Sequence, residues 1–145
     1  MVLTEVKQDL FMVDDDFALA NCISSDYEMN TGISVKFTEI GVKALLLQCY
    51  TSHKWNGHGY CLPVKTERRL VYNLVTKSLH DDTPTYAALK ESLEDLRDYT
   101  IKHNTYKLAM PVISCEFGEL DYSRVKDIIK EVFGNTGIEL KICKS

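Results

Sequence analysis

Residues 17 to 22, Phe-Ala-Leu-Ala-Asn-Cys, form a short apolar run that lacks the polar alternation of a half-buried strand. Too short for a helix, the run reads as a strand buried on both faces, which needs cover on both sides of its sheet. It empties into Ser24-Ser25-Asp26 and then Met29-Asn30-Thr31-Gly32, before an amphipathic helix begins near Ile33. Strand, small-residue loop and helix is the usual arrangement for holding phosphate. The N–H groups of loop and helix start point at the anion, and the helix dipole favours negative charge. Many α/β loops of this form bind nothing, so the pattern alone leaves both readings open.

Strand and helix signals alternate along the rest of the chain. Strands are expected at Val2 to Gln8, Tyr60 to Val64, Leu70 to Val75, Tyr106 to Ile113 and Ile138 to Cys143. The charged cluster Lys65 to Arg69 reads as a hairpin-like turn, and Asn56-Gly57 as another turn. Helices are expected at Ile33 to Ile40 and Gly41 to Tyr50. Thr83-Pro84 opens a third, whose inward stripe is Tyr86, Leu89, Leu93, Leu96 and Ile101. A fourth runs from Tyr122 to Phe133 with Val125, Ile128, Ile129 and Val132 inward and Gly134 to stop it. This order implies a three-layer α/β/α sandwich with a ligand crevice at one end of the strands. At 145 residues, with no linker or repeat, residues 1–145 form one domain.

Charge narrows the function classes. A net charge of −4 and a pI near 5.5 provide no broad basic field for duplex nucleic acid or an anionic membrane. No apolar segment is long enough to span a bilayer, and no signal-peptide pattern is visible at the start. Five cysteines without a C-x-x-C pair suit a reducing compartment, the cytoplasm or nucleus. Cys22, Cys115 and Cys143 read as small buried hydrophobes. Asp14-Asp15-Asp16 reads as a solvated turn. His53-x4-His58-x2-Cys61 has metal-like spacing but lacks a fourth ligand, so no metal is expected. Trp55 reads as a partly buried aromatic. Ser24 with Asp26 makes no triad because no histidine has a defined place beside them; His80-Asp81-Asp82, in the loop after Lys77, reads as a solvated loop, with an approach to the site as the alternative.

Val6 to Phe11, Ala18 to Ser24 and Met29-x-x-Gly32-Ile33 together resemble the opening of a macro domain. The nearest branch is that of terminal ADP-ribose protein glycohydrolases and O-acyl-ADP-ribose deacylases. The resemblance continues through Leu74 to Lys77, Pro84-Thr85-Tyr86, Leu108-x-Met110-Pro111, Ile113-x-Cys115 and Glu131-Val132-Phe133, covering nearly the whole chain in the family's order. It implies the macro-domain sandwich with a central mixed sheet, ADP-ribose or an ADP-ribosylated protein as partner, a monomer, and no cofactor.

The resemblance also assigns roles. Asp9, with Leu10 beside it, would recognise adenine; a turn or helix cap is the alternative for Asp9. Asn21, Cys22, Ile23 and Ser24 would line the distal ribose and phosphates, and Met29, Gly32 and Ile33 the phosphate cradle. Ser114, Cys115, Glu116, Phe117 and Gly118 would form the facing loop. Lys77 takes the place of a nucleophilic lysine, which attacks an anomeric carbon once it has lost its proton.

Five positions depart from the family pattern. Gln8 and Asn30 stand where glycines are usual, Ser114-Cys115-Glu116 replaces Gly-Cys-Gly, and Gly118 replaces the aspartate that partners the lysine. A Glu116 carboxylate about 5 Å from a diphosphate charge would be repelled by roughly 3 kcal/mol at an effective dielectric near 20. Glu119 or Asp121 would have to reach back to supply the missing acid. Two functions follow. One is hydrolysis of ADP-ribosyl esters on acidic side chains, or deacylation of O-acyl-ADP-ribose, weak or absent by the family route. The other is a non-catalytic ADP-ribose reader or a divergent binding module.

Overall fold

A computed structural model describes residues 1–51, 55–115 and 118–145. The chain runs β1 (Val2–Lys7), a 3₁₀ turn (Leu10–Met12), β2 (Ala18–Ser24), α1 (Ile33–Glu39), α2 (Val42–Cys49), β3 (Tyr60–Lys65) and β4 (Leu70–Lys77). Next come α3 (Tyr86–Lys102), β5 (Lys107–Met110), α4 (Tyr122–Phe133) and β6 (Glu139–Lys144). The sheet has the order β1-β6-β5-β2-β4-β3, parallel throughout except for β3, which runs antiparallel to β4.

Alternation of side chains along β2 explains the layering. Ala18 and Ala20 face a core built with Leu89, Leu93 and Leu96 of α3 and Val125, Ile129 and Phe133 of α4. Leu19 and Ile23 face the opposite way, toward Phe37 of α1 and Val42 and Leu46 of α2. Each fully buried leucine of α3 contributes about 1.5–3 kcal/mol. The result is the expected three-layer α/β/α sandwich around a mixed sheet.

Several boundaries differ from the sequence expectation for local reasons. Thr85, not Pro84, caps α3, its hydroxyl accepting a hydrogen bond from the Ala88 N–H at 3.1 Å. Ile101 is 62 % exposed because Thr100, four residues after Leu96, takes the inward position. β5 stops at Met110 because Pro111 has no N–H to continue the ladder. β4 runs two residues further than expected, to Lys77. Asp14, Asp15 and Asp16 are exposed as expected, yet Asp15 pairs with Arg68 and Arg69, and Asp16 with Lys107. Cys143 is buried, whereas Cys22 and Cys115 are only half-buried; Cys61, not singled out, is 2 % exposed.

The antiparallel edge strand β3 is closed by α3. The Glu91 carboxylate accepts from the Gly59 N–H at 3.1 Å, and Asp95 accepts from the Cys61 N–H at 2.7 Å. His58, expected near a metal-like spacing, instead places Nδ1 2.6 Å from Glu91; His53 lies outside the described residues. This approach brings the backbone at Gly59 so close to α3 that a β-carbon there would sit 1.9 Å from the Ala88 carbonyl oxygen. Gly59→Ala should therefore destabilise the fold by about 1–3 kcal/mol, as an overpacked site does. Urea denaturation would show the lower midpoint, and an unchanged midpoint would refute the close approach.

Candidate functional site

Register brings the functional strands to a common end. Ser24 pairs with Lys77, Lys7 with Lys144, and Met110 with Ile142. From β2 the chain passes to α1 and α2 on one face, while β4 and β5 feed α3 and α4 on the other. Open α/β sheets form their crevice where the chain parts in this way.

Two adjoining hollows open there. The inner one, about 130 Å³, is walled by Asn21 to Ser24, the Met29 to Thr31 loop, Lys77 and His80, and Pro111, Ser114 and Glu119. The outer groove, about 720 Å³, runs past Asp9, Leu10, Phe11, Gly32, Lys36 and Lys144. Ile33 and Pro111 stand in both walls. Pockets that hold a whole drug-sized ligand measure about 300–1,000 Å³. The inner hollow therefore takes one compact group, and the groove takes the bulk of a larger ligand.

The structure gathers most of the residues singled out from the sequence. Asn21, Cys22, Ile23, Ser24, Met29, Ile33, Lys77 and Ser114 wall the inner hollow, whereas Asp9, Leu10 and Gly32 border the groove. Cys115 packs against the α3–α4 core, and Gly118 is exposed; neither borders these hollows. Burial, helped by Glu119 and Asp121, pushes the Cys115 thiol up to about 11, so it is no ready nucleophile. Glu116 and Phe117, with the repulsion expected from Glu116, lie outside the described residues. Asp9 caps the 3₁₀ turn, accepting from the Phe11 N–H at 3.0 Å, and its other oxygen lies 3.9 Å from Lys36 Nζ.

The loop between β2 and α1 is tied down at many points. Tyr27 and Met29 adopt left-handed backbone, with φ of 54° and 46°, and bury their side chains to 4 % and 7 % exposure. Asn30 stands where glycine is usual and is of a type that tolerates such backbone, yet it is not among the positive-φ positions. Tyr27 donates to the Tyr50 carbonyl, and burial pushes its phenol up to about 12, keeping it a neutral donor. Thr38 Oγ1 donates to the Met29 carbonyl, and Lys43 Nζ to that of Glu28. Helix α1 has only seven residues, so anion binding here would rest on the loop's own N–H groups more than on a long dipole. On the facing loop Ser114 is also left-handed, at φ 58°, where the related enzymes carry glycine.

Polar groups converge on the inner hollow. Asn21 is 1 % exposed, and its Nδ2 has no protein hydrogen-bond partner. Its register neighbour Asn73 donates through Nδ2 to the Leu62 carbonyl at 3.0 Å and leaves Oδ1 without a partner. Lys77 Nζ donates to the His80 carbonyl at 2.7 Å. The His80 N–H donates to Asp26 Oδ2 at 3.0 Å, and His80 Nδ1 lies 3.6 Å from the same oxygen. Asp26 Oδ1 accepts from the Ser24 hydroxyl and the Glu28 N–H. Burial alone would raise the Asp26 carboxyl, but hydrogen bonds from Ser24, His80 and Glu28, with the His80 ring, hold it below its usual range.

Sequence reasoning allowed His80 an approach to the site but did not pair it with Asp26. Asp26 and His80 are 54 residues apart, and the one sign of their meeting was that His80 follows Lys77 by three positions. The expectation that Ser24 and Asp26 have no histidine beside them is thus corrected. Ser24 still makes no triad, since its hydroxyl donates to Asp26 rather than to an imidazole. Asp26, Glu28 and His80 each offer one potential ligand atom within 4.8 Å of the others, the one such group among the described residues. Both Asp26 oxygens are already engaged in hydrogen bonds.

No protein-family model matches the chain. It is 36% identical over 142 residues to a Homo sapiens protein named ADP-ribose glycohydrolase OARD1, spanning 97% of this chain and 90% of that one. Its structure is similar to the macrodomain of Mycobacterium tuberculosis DarG, with a TM-score of 0.84 and 21% identity over 98% of this chain and 97% of that one. Thermosipho africanus DarTG, solved in complex with ADP-ribose, matches with a TM-score of 0.83 and 16% identity over 99% of this chain and 42% of that one. The two structural matches establish a shared fold.

Ser114→Gly relieves a left-handed residue and should stabilise the protein by about 1 kcal/mol, read as a higher melting temperature. Because the Asp26 carboxyl titrates below its usual value, its charge stabilises the fold at neutral pH, and this contribution is lost as pH falls through the folded value. Asp26→Asn should therefore flatten the acid limb of melting temperature against pH below about pH 5, where the unfolded carboxyl begins to take up its proton.

Proposed function

Because the chain belongs to the macro-domain family, in the OARD1 group, we propose that it binds ADP-ribose and hydrolyses ADP-ribosyl esters on acidic side chains. Esters of the O-acyl-ADP-ribose kind present the same bond. The Asn21 amide carries this reading. A buried donor without a protein partner costs about 1–3 kcal/mol, a penalty that a ribose hydroxyl or phosphate oxygen in the inner hollow removes. The adenosine would lie in the outer groove, where Asp9 can accept a hydrogen bond from an amino group and Lys36 is at hand for an anion.

Lys77 lines the hollow that would hold the distal ribose, which supports its role as nucleophile. Its amine would attack the anomeric carbon as the carboxylate leaves with the electron pair of the broken C–O bond. Water would then release ADP-ribose and free the lysine. Glu119 is a candidate substitute for the family aspartate, since it lines the hollow from the loop after β5. Asp121 is otherwise occupied: it caps α4, accepting from the Ser123 N–H. None of the described cysteines forms a disulfide, which suits action in a reducing cytoplasm or nucleus.

Calorimetric titration with ADP-ribose, paired with incubation of glutamate-ADP-ribosylated protein, tests both halves. Lys77→Ala should keep binding and lower turnover by at least about a thousandfold. Asn21→Val should weaken ADP-ribose binding about fivefold to tenfold while leaving the melting temperature equal or higher, because it removes an unpaired buried donor. No heat at millimolar ligand would refute ADP-ribose as the ligand. Binding without turnover would make the protein a reader.

A further inference from the structure

We propose that His80, oriented by Asp26, is the acid–base residue of the inner hollow and makes the Lys77 amine available for attack. The proposal rests on the hydrolase reading and adds a residue that neither the family pattern nor the relatives' names supply. Gly118 has no side chain to exchange a proton, and it is exposed. An ammonium group cannot attack until it has given up a proton, so Lys77, whose Nζ donates to the His80 carbonyl, needs a proton acceptor to act as nucleophile. The acceptor must therefore lie close by.

His80 meets the geometric requirements. His80 borders the same hollow as Lys77, and its main chain is fixed at both ends, the N–H on Asp26 and the carbonyl on Lys77. Asp26 is in turn held by the Ser24 hydroxyl and the Glu28 N–H, so the carboxylate behind the ring has little freedom. The 3.6 Å between His80 Nδ1 and Asp26 Oδ2 exceeds a hydrogen bond, as catalytic pairs without substrate often do. A proton on Nδ1, facing Asp26, leaves Nε2 as the accepting nitrogen. Asp26 and Glu28 offer carboxylates near the ring, and Lys77 and Glu119 are the other charged residues that line the hollow.

The step balances. An ammonium proton of Lys77 passes to His80 Nε2, giving imidazolium. The freed amine forms a C–N bond at the anomeric carbon while the C–O bond to the leaving carboxylate breaks with its electron pair. Water then replaces lysine at that carbon, the new hydroxyl proton goes to the released amine, and His80 returns its proton to the leaving carboxylate or solvent. No oxidant, reductant or metal takes part.

The test compares wild type, His80→Ala, Asp26→Asn and Glu119→Gln on glutamate-ADP-ribosylated protein, with ADP-ribose affinity measured by calorimetry. His80→Ala should lower kcat about a hundredfold or more with affinity and KM little changed. Added imidazole should restore part of the rate, since the His80 side chain is half exposed. Asp26 acts as a positioning residue: Asp26→Asn should lower kcat less and shift the pH–rate profile without changing affinity. Glu119→Gln should lower kcat less than His80→Ala. A His80→Ala enzyme within a few-fold of wild type, or slow but without rescue by imidazole, overturns the proposal while leaving the hydrolase reading intact. Loss of wild-type turnover on chelation would assign Asp26, Glu28 and His80 to a cation and also overturn it. A wild type that binds ADP-ribose and turns over nothing removes both readings.

Discussion

The pairing of β2 with a parallel strand on each side governs the rest of the molecule. Its ladder with β4 runs from Leu19↔Val71 to Ser24↔Lys77, and on the other side it pairs with β5 at Ala18↔Leu108 and Leu19↔Ala109. A strand enclosed in this way cannot slip by one residue without moving its whole apolar set to the wrong layer. Register then dictates which loops meet. The ladder skips between Ile23 and Ser24, so that Ser24 faces Lys77 rather than Thr76. Such irregularities re-aim side chains next to functional sites. Here one brings Lys77 to the same rim as Ser24 and its partner Asp26.

Rigidity in the rim comes from burial more than from helix. The loop after β2 spends two aromatic or thioether side chains, Tyr27 and Met29, as anchors in the smaller core. Both positions hold left-handed backbone, which persists where the surroundings over-determine it. A ligand would therefore meet a surface already shaped for it, and binding would order few additional residues.

Much of the architecture was legible in the sequence. Phe17 to Cys22 is apolar because both sheet faces are covered, and Tyr122 to Phe133 shows its inward stripe because α4 has one buried side. Ile101 misled, since a helical stripe read without its end point places one residue too many in the core. For the site, the residues brought by β2 and the end of β4 were visible through the family resemblance, since a strand-end lysine by itself reads as a solvated charge. The meeting of His80 with Asp26 was not, as it depends on how two loops 54 residues apart fold over the rim. Backbone handedness was equally hidden: Met29 and Ser114 carry no sequence mark of a positive φ, and Asn30 carries one without using it.

At the far side of the sheet, the acceptance of the Gly59 and Cys61 N–H groups by Glu91 and Asp95 has a consequence for life in a crowded cell. An outermost strand with open donors is a template on which a second polypeptide can zip, and long assemblies begin there. At the start of this edge those two donors, Gly59 just before β3 and Cys61 within it, are already engaged by the adjacent helix, and Pro63 has none to offer. Two carboxylates on one helix thus keep neighbouring molecules from adding themselves to this border as further strands.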